Sequence, residues 1–507
     1  MDAVIQSNLD TISHWDHDDF SEDSVYFYNS SFDMASIPSD GFLPVATNPI
    51  GQGLKDFIPH APSSMNAAAG LQGFCEELES IPLDPNISDN AFDKPPSMYQ
   101  YQSNTPTRRR LTTYRHYFSV KQNIPSKAMA TYLAIELNHL KPTPIVTLPN
   151  NIFPDSLLPF DVNVTLLDKL KGVWDAQRKH LRPPADYTES AVLKWLEDFG
   201  KLMSKATGCK PVRRWSNQYM NTPVPNTNLV RKPDIVLLNS SAGVQSEGWK
   251  HINAVVEVTC RDMNKDLKAQ INNKTYLMLS EQHNRRFVPF VAICGPTMYL
   301  IVTDREGQAM AEINYLQGGE YHALCLLRVI AALVFSNNET IGFDPSILNL
   351  QGPEGGIGIS AGGKVYAVKS IIHAVRGVVG RSSRVWSAYD HKDPDRKLCI
   401  IKDGWIQEGR ADVEKVHLEK LKDVTGVPKL IWGGAVEITD PSSNSRSERK
   451  FRQDDTLWMR LGFSEGRQYR IHRRLVLSPV GELLSSFTSL GELIAAFRDV
   501  VVGMFRS

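Results

Sequence analysis

The sequence lacks the features that mark secreted and membrane proteins. Its six cysteines lie far apart and form no Cys-x-x-Cys pair, which is typical of buried thiols in a reducing compartment. No apolar run approaches the roughly 20 residues of a membrane span, and the acidic start of the chain has no signal-peptide pattern. We therefore expect an intracellular protein, in the cytoplasm or the nucleus, without a membrane segment.

A net charge is also absent, since 56 Lys and Arg residues balance 56 Asp and Glu residues. The two kinds are unevenly distributed, because residues 1–100 contain 16 acidic residues and only two basic ones, Lys55 and Lys94. Ser, Asn, Asp and Pro are common in this segment, and its apolar residues have no sustained period. Such a composition cannot bury enough surface to offset the entropy of ordering, so we predict a disordered acidic tail over residues 1–105.

From residue 106 onward, apolar periodicity predicts a multidomain protein of the α+β or α/β class. Residues 106–350 have the pattern of one mixed α/β domain, with helices at 188–203, 264–282 and 321–335 and strands at 235–238, 252–258 and 290–294. The Gly-rich stretch 351–364 is typical of a linker. Strand and helix patterns then alternate over 365–507, which we interpret as a second α+β domain.

The second domain contains three features that a protein kinase needs for phosphoryl transfer. These are a glycine-bearing loop over the phosphates, a strand lysine that contacts them, and a helix glutamate that holds the lysine. The segment 377–385 supplies the loop with Gly377 and Gly380, Lys402 follows an apolar strand, and Glu414 opens a helix. Each feature is common by itself, whereas all three in this order are typical of a kinase small lobe.

At these residues the chain resembles the fungal-type protein kinase family, whose members join a family-specific N-terminal domain to a divergent kinase domain. The residues that carry the resemblance are Arg231–Asp234, Cys294–Gly295, Asp304–Gly307, Gly342–Pro345, Ile401–Trp405, Gly426–Pro428, Ser478–Leu484, Glu492–Leu493 and Arg498–Asp499. It implies that Lys402 contacts the phosphates of ATP and that Glu414 is its partner. It also implies that Leu477 and Ser478 belong to the hinge beside the adenine.

The sequence departs from the kinase pattern in two ways. When Val385 is aligned with the valine that follows the loop, only one of the three glycine positions holds glycine, at Gly380. The catalytic loop and the metal-binding Asp of a kinase should follow the helical pattern at 490–504, but neither occurs before Ser507. We therefore expect a truncated protein-kinase-like fold, with the small lobe, the hinge and the first large-lobe helix, and without catalytic or metal-binding residues.

The expected function is that of a catalytically inactive protein with a binding or regulatory role. We expect no required cofactor, and only weak binding of ATP and Mg²⁺, because half of the nucleotide surround belongs to a large lobe. The enzyme alternative is a Ser/Thr protein kinase activity that is completed in trans or by a longer product, as the family resemblance implies.

The first domain has its own pattern of charged residues, which is typical of the restriction-endonuclease-like fold. In that fold, acids on two neighbouring strands hold Mg²⁺, and a lysine two residues after the second acid supplies a positive charge. Asp234 opens one strand and Glu257 lies on the next, with Glu189 on the preceding helix as a third acid. A threonine occupies the lysine position, so the charge has to come from Lys265 or Lys268. A metal-dependent nucleic-acid hydrolase is therefore the second alternative, and a binding or scaffold domain with two structural acids is the other interpretation.

The last helical pattern has an apolar stripe whose members recur at spacings of three and four. They are Leu490, Leu493, Ile494, Phe497, Val500, Val501 and Met504. In a complete kinase this stripe would face the large lobe, so here it predicts a protein partner, self-association, or a helix that folds back on the first domain. Short basic clusters at 108–110 and 285–286 fit either phosphate backbones or a solvated surface, so the pattern does not decide whether nucleic acid is bound.

Overall fold

The structure is a computed structural model. It describes residues 144–227, 229–241, 248–351, 355–424, 426–440, 450–461, 469–481 and 486–506, and in addition Leu133 and Leu137. The predicted acidic tail over 1–105 lies outside these residues. The chain falls into two compact units: Leu111–Lys422 with Pro428–Val480, and Met1–Arg110 with Asp423–Val427 and Gly481–Ser507.

The secondary structure of the described residues mixes helices and strands along the chain. The helices are α1 (Leu148–Ile152), α2 (Val164–Lys169), α3 (Glu189–Thr207), α4 (Lys265–Glu281), α5 (Gly319–Phe335), α6 (Val413–Lys420), α7 (Leu457–Arg460) and α8 (Leu490–Arg506). The strands are β1 (Trp174–Asp175), β2 (His180–Leu181), β3 (Arg213–Ser216), β4 (Ile235–Asn239), β5 (Ala254–Thr259), β6 (Val288–Cys294), β7 (Thr297–Thr303), β8 (Gln308–Asn314), β9 (Ile347–Leu350), β10 (Gly356–Ala361), β11 (Lys364–Ala374), β12 (Arg384–Asp390), β13 (Leu398–Gln407), β14 (Lys429–Ala435), β15 (Glu437–Thr439), β16 (Phe451–Gln453) and β17 (Arg470–Ser478). Within the described residues, no helix is both long and apolar enough to cross a membrane.

Helix α3 shows how the local sequence sets the ends of an element. The side chain of Thr188 caps its start by accepting a hydrogen bond from the backbone N–H of Ala191 at 3.3 Å. Gly208 ends it in the left-handed conformation, with φ of 73°, which glycine adopts without a steric cost. Its buried residues recur at the spacing of one helix face and are Val192, Trp195, Leu196, Phe199, Gly200 and Met203.

The first large sheet has six strands in the order β3-β4-β5-β6-β7-β8. β5 and β6 are parallel and α4 connects them, whereas the other neighbours are antiparallel. Successive residues of β4 and β5 belong to two different buried clusters, so both faces of the sheet are covered. The predicted mixed α/β class is confirmed, and β7 and β8 extend the sheet beyond the strands that the pattern predicted.

The second large sheet has seven antiparallel strands in the order β14-β17-β13-β12-β11-β10-β9. It begins at Ile347, before the predicted linker, and it includes β10 inside that linker. Gly358 has a packing role there, because a Cβ at this position would lie 2.7 Å from the side chain of Leu350 on β9. Residues 356–361 of the predicted linker are therefore part of the sheet.

Candidate nucleotide site and acidic site

Lys402 and Glu414 form an ion pair on one face of the second sheet. Lys402 lies on β13, where its backbone pairs with Val385 of β12. Its Nζ atom lies 2.7 and 2.9 Å from the two carboxylate oxygens of Glu414, in the first turn of α6. The two side chains are 21% and 40% exposed, so the pair remains accessible to a ligand. The structure thus brings together the lysine and the glutamate that the sequence singled out.

Arg473 on β17 anchors the start of α6, which positions Glu414. Its Nε atom donates to the carbonyl oxygen of Ala411 at 3.2 Å, and its guanidinium forms an ion pair with Asp412. Both partners directly precede α6. Arg473 was not predicted from the sequence, although its alternation with Leu475 on the same strand places both side chains on one face.

An apolar cluster lies beside the ion pair, on the same face of the sheet. It contains the buried residues Ile400, Leu475 and Leu477, with Val385, Leu418, Leu430 and Val480 packed against them. Leu477 pairs with Ile400, two residues before Lys402, and Ser478 ends β17 opposite Lys429. The two predicted hinge residues therefore lie at the end of the strand next to the lysine strand. Apolar side chains beside a lysine are the combination that a nucleotide needs for its base and its phosphates.

The predicted phosphate loop joins β11 to β12 at the end of the sheet where Lys402 lies. Gly377 and Gly380 are both tied to Arg305, from the turn between β7 and β8 of the first sheet. The Arg305 Nη1 atom donates to the carbonyl oxygen of Gly377 at 2.7 Å, and the N–H of Gly380 donates to the carbonyl oxygen of Arg305 at 2.8 Å. Val378, which stands at a glycine position of the kinase pattern, is fully buried.

The comparison with known families decides what this arrangement belongs to. A sequence model of the family described as fungal protein kinase matches residues 232–506, which is more than half of the 507 residues. The chain belongs to the fungal protein kinase family. No curated protein and no solved structure shows a significant match. The matched part of this fungal protein kinase family member includes Lys402 and Glu414, and it also includes Asp234 and Glu257 in the first sheet.

The acidic residues of the first sheet of this family member form a second site. Asp234, at the start of β4, accepts a hydrogen bond from the N–H of Val258 at 2.8 Å, and its own N–H donates to Glu257 at 3.4 Å. Burial raises the pKa of Glu257 to about 7, although the positive charge of Lys274 opposes the shift. Burial also raises the pKa of Asp234, and the negative charge of Glu189 adds to this effect. Asp234 and Glu257 are therefore joined by a hydrogen bond, whereas the third predicted acid, Glu189, acts on Asp234 through its charge.

The lysine of this acidic site is Lys274, and neither of the two lysines that we expected takes its place. Lys265 and Lys268 lie on the first turns of α4, where both are exposed. Lys274 lies further along the same helix and forms an ion pair with Glu257, and both side chains are at most 3% exposed. The sequence held a signal for this residue, because Lys274 falls on the helix face of Leu267, Ile271 and Met278. A lysine on an apolar helix face needs a buried partner.

A third charged cluster lies between the two sheets and was not predicted. Arg474 of β17 donates to both carboxylate oxygens of Asp403, at 2.6 and 2.8 Å, and to Asp344 at 3.1 Å. The ring of His472 lies 3.4 Å from Asp403 and 3.2 Å from Asp454. Asp344, Asp403 and His472 are close enough to hold a metal ion. The guanidinium of Arg474 already supplies positive charge there, so we assign the cluster a structural role.

Proposed function

We propose that this member of the fungal protein kinase family binds ATP on the face of the second sheet that carries Lys402 and Glu414, and that its role is binding or regulation. The observation that carries the proposal is the bidentate contact of the Lys402 ammonium with both oxygens of Glu414. A lysine held in this way points a fixed positive charge at one place, which is what a phosphate group requires.

The residues present fit the parts of a nucleotide. Lys402 would hold the phosphates, and the cluster around Ile400 and Leu477 would contact the base. When bound, the nucleotide would supply a phosphate chain for transfer. Transfer also needs a base for the acceptor hydroxyl and carboxylates for Mg²⁺, and in kinases those groups lie outside the small lobe. We therefore propose that the contribution of this lobe is binding.

Calorimetric titration with ATP tests the proposal. We expect weak binding, with a dissociation constant of about 1 mM, corresponding to about 4 kcal/mol. Lys402→Met should abolish it, whereas Lys397→Met should not, because Lys397 is an exposed lysine whose partner is Asp395. If the unaltered protein, Lys402→Met and Lys397→Met bind ATP with equal affinity, the proposal is wrong.

The enzyme alternative of Ser/Thr kinase activity is tested with labelled ATP and a protein substrate. Phosphate transfer by the purified protein that disappears in Lys402→Met would favour this alternative. No transfer above background would favour the binding role.

The second candidate function is a metal-dependent nucleic-acid hydrolase in the first sheet. Lys274 favours it, because this lysine supplies the charge that the strand position lacks and lies against Glu257. Two carboxylates with raised pKa values and only one lysine leave an excess of acidic groups, which suits a divalent cation. Asp234 and Glu257 would hold the ion, which would activate a water molecule. Glu189 acts on Asp234 through its charge.

A cleavage assay on DNA and RNA with Mg²⁺ or Mn²⁺ tests this second function. Activity should be lost in Asp234→Asn and in Lys274→Met. Lys268→Met is the matched control, because this lysine lies on the same helix and is exposed. Intact nucleic acid with the unaltered protein would exclude the hydrolase, whereas retention of nucleic acid at low salt needs only a basic surface.

A further inference from the structure

Arg305 is a buried arginine of the first sheet whose main partners lie in the second. It stands in the four-residue turn between β7 and β8 and is fully buried. The turn is rigid, because the carboxylate of Asp304 accepts the N–H groups of Glu306 and Gly307 at 2.9 and 3.1 Å. Arg305 therefore projects from a fixed support.

The two glycines of the phosphate loop are both partners of Arg305. Its side chain donates to the carbonyl oxygen of Gly377 at 2.7 Å, and its own carbonyl oxygen accepts the N–H of Gly380 at 2.8 Å. The loop is thus held at both glycines by one residue. Between them, Val378 is fully buried in a cluster made mostly of first-sheet and α4 residues.

The other arm of the loop is fixed to the lysine strand. The carbonyl oxygen of Arg381 accepts the N–H of Trp405 at 2.8 Å, three residues beyond Lys402 on β13. Gly380 itself has φ of +111°, a conformation that residues with a side chain rarely adopt. The loop is therefore fixed between the first sheet and the strand of Lys402, and its shape does not depend on a full set of glycines.

We propose that Arg305 is a positioning residue for the phosphates of the bound nucleotide, so that the first sheet sets the phosphate loop of the second. The inference rests on the proposed ATP binding. A loop that is already ordered loses less entropy when a ligand binds than a mobile one does, and its N–H groups keep their direction. Arg305 thus contributes to the affinity for the phosphates. The base would contact the separate cluster around Ile400.

The test compares the affinities for ATP and for adenosine, which lacks the phosphates. In Arg305→Gln, we expect the affinity for ATP to fall at least tenfold and that for adenosine to stay within twofold. Amide hydrogen exchange at residues 377–380 should become faster in the same variant. Arg285→Lys is the matched control, since Arg285 is also buried and donates to the carbonyl oxygens of Asn253 and Ile341, which lie outside the loop.

A second variant covers the case in which Arg305→Gln does not fold. Gly380→Ala alters the same contact from the loop side, and a Cβ at this position has no atom within 4 Å, so the change acts through the backbone conformation alone. It should reproduce the loss of ATP affinity without a loss of adenosine affinity. If the unaltered protein binds no ATP, the proposed function itself fails. If it binds ATP and the ratio of the two affinities is unchanged in the folded variants, the role of Arg305 alone is refuted.

Discussion

His472 and Arg474 are two residues apart on β17, and both face carboxylates in a place closed to solvent. Burial alone would lower the pKa of His472, but hydrogen bonds to Asp403 and Asp454 raise it to about 9, and the charge of Asp344 adds to the rise. Burial alone would raise the pKa of Asp403, but Arg474 and His472 hold it well below its usual range. At neutral pH the cluster therefore contains charged groups of both signs, and His472 carries a proton.

The protonation of His472 predicts a pH-dependent stability. The folded pKa lies above the ordinary value of 6.5, so this stabilisation is complete below about pH 6.5 and is lost as the pH rises through about 9. Near pH 6, His472→Gln should lower the free energy of unfolding by on the order of 3 kcal/mol. Denaturation in urea at pH 6, 7.5 and 9 measures the effect.

The difference between the unaltered protein and His472→Gln should shrink as the pH rises. The exposed His391 provides the control, and His391→Gln should change stability little at any pH. Asp403 does not obscure the result, because its stabilisation is lost only in acid, as the pH falls through its lowered pKa. A difference that stays constant from pH 6 to 9 would mean that His472 is neutral in the folded protein.

At the scale of helices and strands, the sequence predicted elements whose ends carry their own signals. α3 and α4 lie within a few residues of their predicted bounds, because Thr188 and Asn264 cap their first turns. β10 was not predicted, because Gly358 is needed for a close approach to Leu350 of β9 that the sequence does not display. The contact of Arg305 with Gly377 spans 72 residues, and no local pattern encodes it.

For the two candidate sites, the sequence likewise predicted some residues and missed others. The order of Lys402 and Glu414 along the chain was enough to pair them, because a strand lysine and the next helix are neighbours in a small lobe. Lys274 was missed because only Lys265 and Lys268, near the start of α4, were considered, and the apolar face of that helix was not. The acids Asp234 and Glu257 were identified because one opens an apolar strand and the other lies on the next strand.

Helix α4 provides a test of the buried pair of Lys274 and Glu257. Lys274→Met leaves the buried carboxylate without its partner, which should cost about 3–5 kcal/mol of unfolding free energy at pH 8. The double variant Lys274→Met with Glu257→Gln should recover part of this loss, because no unpaired charge remains. Lys268→Met should have almost no effect. Chemical denaturation of the four proteins measures these differences. If Lys274→Met is as stable as Lys268→Met, the pair is not buried in solution.

Helix α8 has the predicted apolar stripe, and Leu490, Ile494 and Phe497 on it are 45%, 54% and 52% exposed. Each large apolar side chain that leaves water gains roughly 1.5–3 kcal/mol, so the stripe favours association with an apolar surface. We expect the whole chain to elute in size-exclusion chromatography as a self-associated species. Ile494→Glu with Phe497→Glu should shift it to a smaller size. A clean monomer in both proteins would leave self-association without support.

At the scale of the molecule, the two large sheets lie in one compact unit and share buried charges. Arg286 pairs with Asp454 at 2.9 Å, and Arg474 pairs with Asp344 at 3.1 Å, each across the two sheets. Cutting the chain between them leaves buried charges without partners, which is strongly destabilising. The sequence suggested separate domains because the apolar pattern changes near residue 351, but pairs so distant in the chain are not visible in such a pattern.

The shared charges predict that the second sheet does not fold alone. A fragment that begins at Ser346, just before β9, should show no cooperative unfolding transition in calorimetry, whereas a chain that begins at Leu111 should unfold in one transition. The longer chain is the control, because it retains Asp344 and Arg286. A cooperative transition of the short fragment would show that the first sheet is dispensable for folding.

Helix α4 contacts both candidate sites. The carbonyl oxygen of Leu279 accepts hydrogen bonds from Arg305 at 3.3 Å and from Arg384, at the start of β12, at 3.0 Å. The same helix carries Lys274 about one and a half turns earlier, so the phosphate loop and the acidic site are attached to one rigid helix. Thermodynamic linkage then requires reciprocity. If a bound nucleotide changes the affinity for a cation at Glu257 by some factor, a bound cation must change the affinity for a nucleotide at Lys402 by the same factor.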